Sequence, residues 1–166
     1  MQKLSNKKGF TLIEILVVIG IIAVLAGIVL IAINPARQFS QARDTQRVSN
    51  VNAILNAVGQ YMADNKGALP TGITPDGADY KIAFGAGNVD LCTPLVSAVS
   101  YISALPVDPN TDPDGAGALG KGESVPKASC GTYDTGYKIS QSLPADGSRV
   151  TVKATGEITS VISVTR

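Results

Sequence analysis

The chain has 166 residues, a formal net charge of +1 and no histidine, which leaves room for one long helix and one small domain. Without histidine it lacks the commonest general base and metal ligand, and it contains neither a G-x-S-x-G motif nor a phosphate-binding loop. The small net charge does not indicate a broad nucleic-acid-binding surface. The composition therefore predicts neither an enzyme nor a nucleic-acid-binding protein.

The first predicted element is an apolar helix over residues 10–33. The run has 24 residues, and Glu14 is its only ionisable side chain. About 20 apolar residues in a helix span a bilayer core, so the run predicts a transmembrane segment. A cleaved secretory signal is the alternative, because Lys3, Lys7 and Lys8 precede the run. Such signals have a shorter apolar stretch and an A-x-A-like cleavage site, and neither is present.

The residues around this lone carboxylate resemble a known junction. Lys7 to Glu14 reads KKGFTLIE, which resembles the leader junction of type IV pilins and type II secretion pseudopilins: a basic leader ending in glycine, then phenylalanine, then glutamate at the fifth mature position. The resemblance implies that residues 1–9 form a leader, that a prepilin peptidase cuts between Gly9 and Phe10, and that Phe10 is then N-methylated. It also implies an assembly role for Glu14, whose carboxylate pairs with the α-ammonium of Phe10. The simpler alternative is a Glu14 solvated at headgroup depth.

The same resemblance implies partners and a location. The expected partners are other copies of the chain in a helical homopolymer, the prepilin peptidase, an inner-membrane assembly platform and, before assembly, membrane lipid. The precursor is expected in the inner (cytoplasmic) membrane with its C-terminal domain outside, and the processed subunit in a cell-surface pilus. The leading hypothesis is a major pilin. The alternatives are a pseudopilin of a type II secretion or DNA-uptake machine and a monomeric, membrane-anchored binding module.

The helix is predicted to continue beyond the apolar run with a kink at Pro35, because proline lacks a backbone donor and clashes with the preceding turn. Residues 34–66 form its amphipathic half, in which apolar side chains recur at spacings of three and four. Asn65 and Gly67 supply the stop. The apolar positions are Val48, Val51, Leu55, Val58 and Met62, broadened by Ile54 and Tyr61.

Three arginines, Arg37, Arg43 and Arg47, follow the predicted kink, with Asp44 between them. Such a cluster favours contact with anionic lipid headgroups before assembly, or pairing with acidic groups of neighbouring subunits afterwards. The alternative is an ordinary solvated helix face. All of these hypotheses place the arginine side chains on an exposed surface.

Residues 67–131 are rich in glycine, proline, aspartate, serine and threonine, which predicts a variable loop region. A short helix is expected within Leu91 to Leu105, because apolar residues recur there at helical spacing. Cys92 and Cys130 are the two cysteines of the chain. In an exported domain we expect them to form a disulfide; two buried thiols are the alternative, and the C-x-x-C spacing of metal sites is absent.

Residues 108–115 alternate oxygen-bearing side chains in the manner of a calcium loop. The candidate calcium ligands are Asp108, Asn110, Asp112 and Asp114. The L-P-x-D-P run at the start of this stretch resembles the calcium-binding loop of the major pseudopilin of type II secretion. Asn110 to Gly115 matches the opening of an EF-hand loop, which needs a bidentate glutamate at its position 12; counted from Asn110, that position is Lys121. The alternative is a Pro/Asp turn with solvated carboxylates, and apart from calcium the sequence indicates no cofactor.

Residues 132–166 alternate apolar and polar side chains as strands do. Three strands are predicted, over residues 135–143, 149–154 and 157–164. An antiparallel meander of these strands on the second half of the helix would bury both apolar faces. The predicted fold class is α+β with the pilin architecture: a long N-terminal helix, apolar in its first half, packed on a small antiparallel sheet with loop-rich insertions.

Overall fold

The computed structural model describes residues 9–32, 34–111 and 121–166. The chain divides into two compact units, an N-terminal unit (Met1–Gln38) and a C-terminal unit (Phe39–Arg166). An apolar helix, α1 (Leu12–Ala32), precedes a second helix, α2 (Pro35–Asp64), and the strands follow. The predicted α+β class, with an apolar N-terminal helix and a small antiparallel sheet, is confirmed.

Helix α1 is apolar along its length, and the large aliphatic side chains from Leu12 to Val29 are between 49% and 82% exposed. Its 21 residues extend about 31 Å at 1.5 Å per residue, close to the thickness of a bilayer core. The helix is therefore long and apolar enough to cross a membrane, and none of the segment Leu12–Val29 is buried.

The junction between the two helices differs from the single kinked helix that the sequence predicts. α1 ends at Ala32 and α2 begins at Pro35, because the fixed φ of proline and its missing N–H suit the first position of a helix. The side-chain Oδ1 of Asn34 accepts a hydrogen bond from the backbone N–H of Arg37 at 3.2 Å, as capping asparagines do. Pro35 thus starts a helix instead of bending one.

The buried face of α2 follows the predicted apolar stripe with one exception. Val51, Leu55 and Val58 are at most 2% exposed, whereas Val48 is 43% exposed. Arg47 lies one helical turn before Val51, on the same face of the helix, and it is only 2% exposed. The apolar face of α2 therefore continues towards the N-terminus as a buried polar face.

The C-terminal unit contains six strands among the described residues. They are β1 (Tyr80–Ala83), β2 (Ala104–Leu105), β3 (Val125–Pro126), β4 (Asp134–Gln141), β5 (Val150–Ala154) and β6 (Ile162–Thr165). The main sheet has the order β1-β4-β5-β6 with antiparallel neighbours, and β2 pairs with β3 in a separate two-stranded sheet.

The hydrophobic core lies between α2 and one face of the main sheet. Its members from α2 are Val51, Ile54, Leu55, Ala57 and Val58. Its members from β4 to β6 are Tyr137, Ile139, Val150, Val152, Ala154 and Ile162. Side chains from β1 to β3 and from the loop region complete the same cluster. Burying each large apolar side chain contributes about 1.5–3 kcal/mol, so this core holds α2 in place and with it the polar face of the helix.

Strand β1 is the main departure from the predicted three-stranded meander. It lies within the region 67–131 that the sequence predicts as loops, yet it pairs with β4, and Lys81 stands opposite Lys138. Its four residues are flanked by turn-forming residues, so the local pattern is too short to indicate a strand. Its partner in β4 is distant in sequence, which places this pairing beyond local prediction.

Two other elements are shorter than predicted. The helix expected within Leu91 to Leu105 is one wide turn, Thr93–Ala98, and Ala104 and Leu105 form β2 instead. The third predicted strand, 157–164, begins only at Ile162. The backbone N–H groups at its predicted start bind a helix carboxylate, which keeps them out of the sheet.

The predicted disulfide between Cys92 and Cys130 is present, with their Cα atoms 5.3 Å apart. Beside it, the buried hydroxyl of Tyr133 accepts hydrogen bonds from the N–H groups of Leu91 and Cys92, at 2.9 and 3.1 Å, and donates to Asp90 at 2.7 Å. A disulfide typically adds about 2–4 kcal/mol to the free energy of unfolding. The bridge therefore joins the start of the turn Thr93–Ala98 to the end of the loop region, two parts of the chain that are 38 residues apart.

Candidate functional site

The predicted processing junction directly precedes α1. Gly9 and Phe10 are exposed, and the side chain of Phe10 is 85% exposed. A β-carbon added at Gly9 would meet nothing within 4 Å. The described structure thus leaves both sides of the peptide bond between Gly9 and Phe10 uncovered.

Glu14 forms a reciprocal cap with Thr11 at the start of α1. Its Oε2 accepts hydrogen bonds from the backbone N–H and the hydroxyl of Thr11 at 2.7 and 2.8 Å, and the N–H of Glu14 donates to the Thr11 hydroxyl at 3.3 Å. This arrangement is a capping box. Thr11 is absent from the predicted site, although the T-x-x-E spacing of a capping box could have identified it.

A second polar site, the ionic cluster, consists of Arg43, Asp44, Arg47, Asp108 and Glu157. Arg47 is at its centre: its Nε and Nη2 donate to the two carboxylate oxygens of Asp108 at 2.6 and 3.0 Å. Its Nη1 donates to Asp44 at 2.7 Å and to Glu157 at 3.1 Å. The hydrogen bonds to Asp108 raise the pKa of Arg47 against the effect of its burial, so this guanidinium stays charged.

Asp44 joins α2 to the turn that precedes β6. Its carboxylate accepts hydrogen bonds from the backbone N–H groups of Glu157, Ile158 and Thr159 at 2.9, 2.9 and 3.3 Å. Burial alone would raise the pKa of Asp44, but these N–H donors and the guanidinium of Arg47 outweigh it and lower the pKa to about 2. The carboxylate therefore stays ionised while it is 8% exposed.

Only one of the three arginines is fully exposed as the sequence predicts. Arg47 is buried inside its own unit, and Arg43 donates to Glu157 from its Nε at 2.6 Å. Arg37 is exposed. The expectation of contact with lipid or with neighbouring subunits is therefore wrong for Arg47, because three carboxylates of the same chain surround its guanidinium.

Gly156 begins the turn that binds Asp44, and its replacement by alanine should be strongly destabilising. A β-carbon at position 156 would overlap the carbonyl oxygen of Thr159 and lie 3.2 Å from Oδ1 of Asp44. We expect Gly156→Ala to lower the free energy of unfolding by about 2–4 kcal/mol, through steric strain and loss of these hydrogen bonds. Urea denaturation of the full chain in detergent micelles, followed by tyrosine fluorescence, measures this change.

The matched control is Gly59→Ala in α2, where an added β-carbon meets nothing within 4 Å. It should leave stability unchanged or raise it by up to about 1 kcal/mol, since alanine is the better helix former. Equal midpoints for Gly156→Ala and the wild-type chain would contradict the packing of this turn.

The ionic cluster should make stability depend on pH in the acid range. Asp44 has a folded-state pKa of about 2, below its ordinary value of 3.8. The unfolded chain therefore binds more protons between these values, and the stabilisation is present above about pH 4 and lost as the pH falls towards 2. We expect a loss of about 2 kcal/mol over this window. Urea midpoints at pH 5, 4, 3 and 2 test this. Asp44→Asn should reduce the slope without abolishing it, because the hydrogen bond from Arg43 also lowers the pKa of Glu157; an unchanged slope in that variant would contradict the assignment.

The chain has recognisable relatives. A family model described as the prokaryotic N-terminal methylation motif matches residues 4–30. Type II secretion system core protein G of Escherichia coli (strain K12) is 34% identical over 109 residues, which cover 66% of this chain and 70% of that protein. The chain belongs to the type IV pilin and pseudopilin family. No solved structure matches it significantly. In this pilin-family chain, the exposed apolar α1 and the leader motif fit anchoring in a membrane.

The candidate calcium ligands of this pilin-family chain are divided. Asp112 and Asp114 lie outside the described residues. Both carboxylate oxygens of Asp108 accept hydrogen bonds from Arg47, and the side-chain amide of Asn110 donates to a glutamate oxygen at 2.8 Å. The described part of the chain contains no group of three His, Cys, Asp or Glu side chains arranged to hold a metal ion.

A calcium ion at Asp108 would share the carboxylate with a buried guanidinium, and two cations at that distance repel each other strongly. The described donors therefore do not fit a calcium site. The calcium prediction for Asp112 and Asp114 is not tested by the described residues.

Proposed function

We propose that the chain is the repeating subunit of a helical filament, which polymerises through α1 after cleavage between Gly9 and Phe10 and methylation of Phe10. The observation that carries this proposal is the exposure of α1, whose large aliphatic side chains are each at least 49% exposed. An apolar surface of this extent needs lipid or other protein to cover it. The C-terminal unit, in contrast, closes a core of its own.

The partners follow from the two environments that suit α1. Before assembly, lipid of the inner membrane surrounds the helix, and the C-terminal unit lies outside. A prepilin peptidase removes the leader, and an assembly platform passes the subunit into the filament, where helices of other copies replace the lipid. In this role the chain is structural, without catalysis and without a cofactor.

Two filaments are candidates. A long cell-surface pilus, with the chain as its major pilin, is the one that the sequence predicts. A short pseudopilus of a protein secretion machine is the second, and the observation that favours it is the 34% identity to a type II secretion core protein. Both use the same processed subunit, so they differ in where it accumulates.

Intact-mass spectrometry of sheared surface material and of membranes distinguishes the two filaments. Processed chain that begins at methylated Phe10 and dominates the sheared fraction indicates a pilus. Processed chain confined to membranes, together with loss of secretion when its gene is deleted, indicates a pseudopilus. An uncut chain in every fraction would contradict the proposal. A gain of two hydrogens on reduction reports the Cys92–Cys130 bridge in the same spectra.

Replacing Gly9 with serine should block leader removal. The motif places a glycine directly before the cut, and we expect the peptidase to require it. The Gly9→Ser precursor should then remain in the membrane, with no processed chain detectable by mass spectrometry. Gly20→Ser in α1 is the matched control, because a β-carbon at either glycine meets nothing within 4 Å. The control should be cleaved like the wild-type chain, and processed filaments from Gly9→Ser would overturn the assigned cut.

A further inference from the structure

The segment that begins at Asp108, residues 108–111, is joined to the rest of the C-terminal unit at several points. The N–H of Asp108 donates to the carbonyl of Thr135 in β4 at 2.9 Å, and the N–H of Gly122 donates to the carbonyl of Thr111 at 3.0 Å. The backbone of residues 108–111 is therefore bonded to β4 at one end and to Gly122 at the other. The carboxylate of Asp108 is buried, at 7% exposure for the residue, and it therefore needs a partner of opposite charge.

Arg47 supplies the positive charge for that carboxylate. Its guanidinium binds both oxygens of Asp108, and its Nη1 reaches Asp44 and Glu157. Bidentate contact of this kind is geometrically specific as well as strong. One side chain of α2 thereby connects the segment at Asp108 with the turn that precedes β6, which are otherwise separate in sequence.

The oxygens of Asp108 have little capacity left for a metal ion. Oδ1 accepts from Nη2 of Arg47 and from the N–H of Asn110, at 3.0 and 2.9 Å, and Oδ2 accepts from Nε of Arg47 at 2.6 Å. A divalent ion bound here would have to displace a guanidinium whose side chain is 3% exposed. That displacement would cost the buried guanidinium its bidentate partner and leave it paired with Asp44 and Glu157 alone, which is unfavourable.

We propose that Arg47, in place of a divalent cation, fixes the segment that begins at Asp108, so that the C-terminal unit folds independently of calcium. The guanidinium of Arg47 neutralises three carboxylates. In other proteins a calcium ion bound by carboxylate oxygens can neutralise such a group. If the chain is a filament subunit as proposed above, its filaments also persist in chelator. The part that concerns folding does not rest on that function.

The test uses the full chain in detergent micelles. Thermal unfolding is measured in EDTA and in calcium chloride at matched ionic strength, together with hydrogen exchange of the peptides 105–111 and 155–161. For the wild-type chain we expect Tm values that agree within about 1 °C and identical exchange in both conditions. A rise in Tm of about 3 °C or more with calcium, or slower exchange in either peptide, would overturn the proposal.

Two arginine variants locate the effect. Arg47→Gln should speed exchange at least about tenfold in both peptides, with or without calcium, because it loses the contacts to Asp108 and Asp44. Arg43→Gln removes an outer cation that binds Glu157, and it should leave peptide 105–111 at the wild-type rate. Equal effects of the two variants on that peptide would contradict the central role of Arg47.

Arg47→Lys is a second variant that tests the same proposal if Arg47→Gln does not fold. A lysine retains the charge but not the bidentate geometry, so exchange of peptide 105–111 should lie between the rates of the wild-type chain and of its unfolded state. Wild-type protection in Arg47→Lys would show that the fork of the guanidinium is not what holds the segment, and it would overturn the proposal.

Discussion

Replacing Asp44 with alanine is expected to lower the free energy of unfolding by about 4 kcal/mol, because it breaks a buried ion pair from one side. The carboxylate binds the guanidinium of Arg47 at 2.7 Å and three backbone N–H groups of the turn before β6. Without it, Arg47 stays buried with less opposite charge, and the N–H groups lose their acceptor. Urea denaturation of the full chain in detergent micelles, followed by the buried tyrosines Tyr133 and Tyr137, measures the loss.

The charge-matched control for Asp44→Ala is Asp64→Ala. Asp64 belongs to the same helix but is exposed at its C-terminal end, so its removal should change stability by no more than about 0.5 kcal/mol. If both variants unfold at the same urea concentration, the ionic cluster contributes nothing beyond a surface charge. The double variant Asp44→Ala/Arg47→Gln should lose much less stability than the sum of the two single losses, since the two residues are partners.

The N-terminal methylation motif could be recognised from the sequence because its parts are local. The basic pair, the junction between Gly9 and Phe10 and the glutamate all lie between Lys7 and Glu14. The apolar span of α1 needs only composition, and two cysteines allow a single pairing. Each of these predictions depends on residues that are adjacent in sequence or unique in kind.

The ionic cluster could not be predicted in the same way because its contacts are long-range. Arg47 lies 61 residues from Asp108 and 110 residues from Glu157, and no local pattern indicates these pairings. The two members of the cluster on α2 could have been identified from the sequence, however. Asp44 and Arg47 extend the three-four spacing of the apolar stripe back from Val51, so the helical period alone places them on the buried face. The usual solvation of charged side chains argues against that placement, and the partners across the fold reverse it.

The start of the third predicted strand shows the same competition. The alternation that includes Ile158 and Ile162 favours a strand, but the carboxylate of Asp44 binds the N–H groups of residues 157–159. A backbone donor that is used by a side chain is unavailable to a sheet ladder. The strand therefore begins later, at Ile162, because of a residue more than a hundred positions earlier.

Replacing Glu14 with alanine is expected to leave leader removal and methylation intact but to reduce the amount of assembled filament at least about tenfold. A tenfold change in association corresponds to about 1.4 kcal/mol. In the described chain, the hydrogen bonds of its carboxylate go to Thr11 alone. In a filament the proposed partner is the α-ammonium of Phe10, created by cleavage. Two charges that are each costly in an apolar surrounding become acceptable as a pair. Intact-mass spectrometry checks processing, and crosslinking of the chain in cells, followed by quantitation of high-mass multimers, checks assembly.

Two further variants separate the charge of Glu14 from its role in the capping box. Glu14→Gln retains a side chain that suits this position of a capping box but has no charge, so it should assemble as poorly as Glu14→Ala if pairing with the α-ammonium is what matters. Thr11→Val removes the intrachain partner and keeps the charge, so it should still assemble, with only the start of α1 weakened by about 1 kcal/mol. The opposite ranking, with Glu14→Gln normal and Thr11→Val defective, would mean that Glu14 serves the helix end and not the filament. Both variants preserve the junction between Gly9 and Phe10, and intact-mass spectrometry of each separates a failure of cleavage from a failure of assembly.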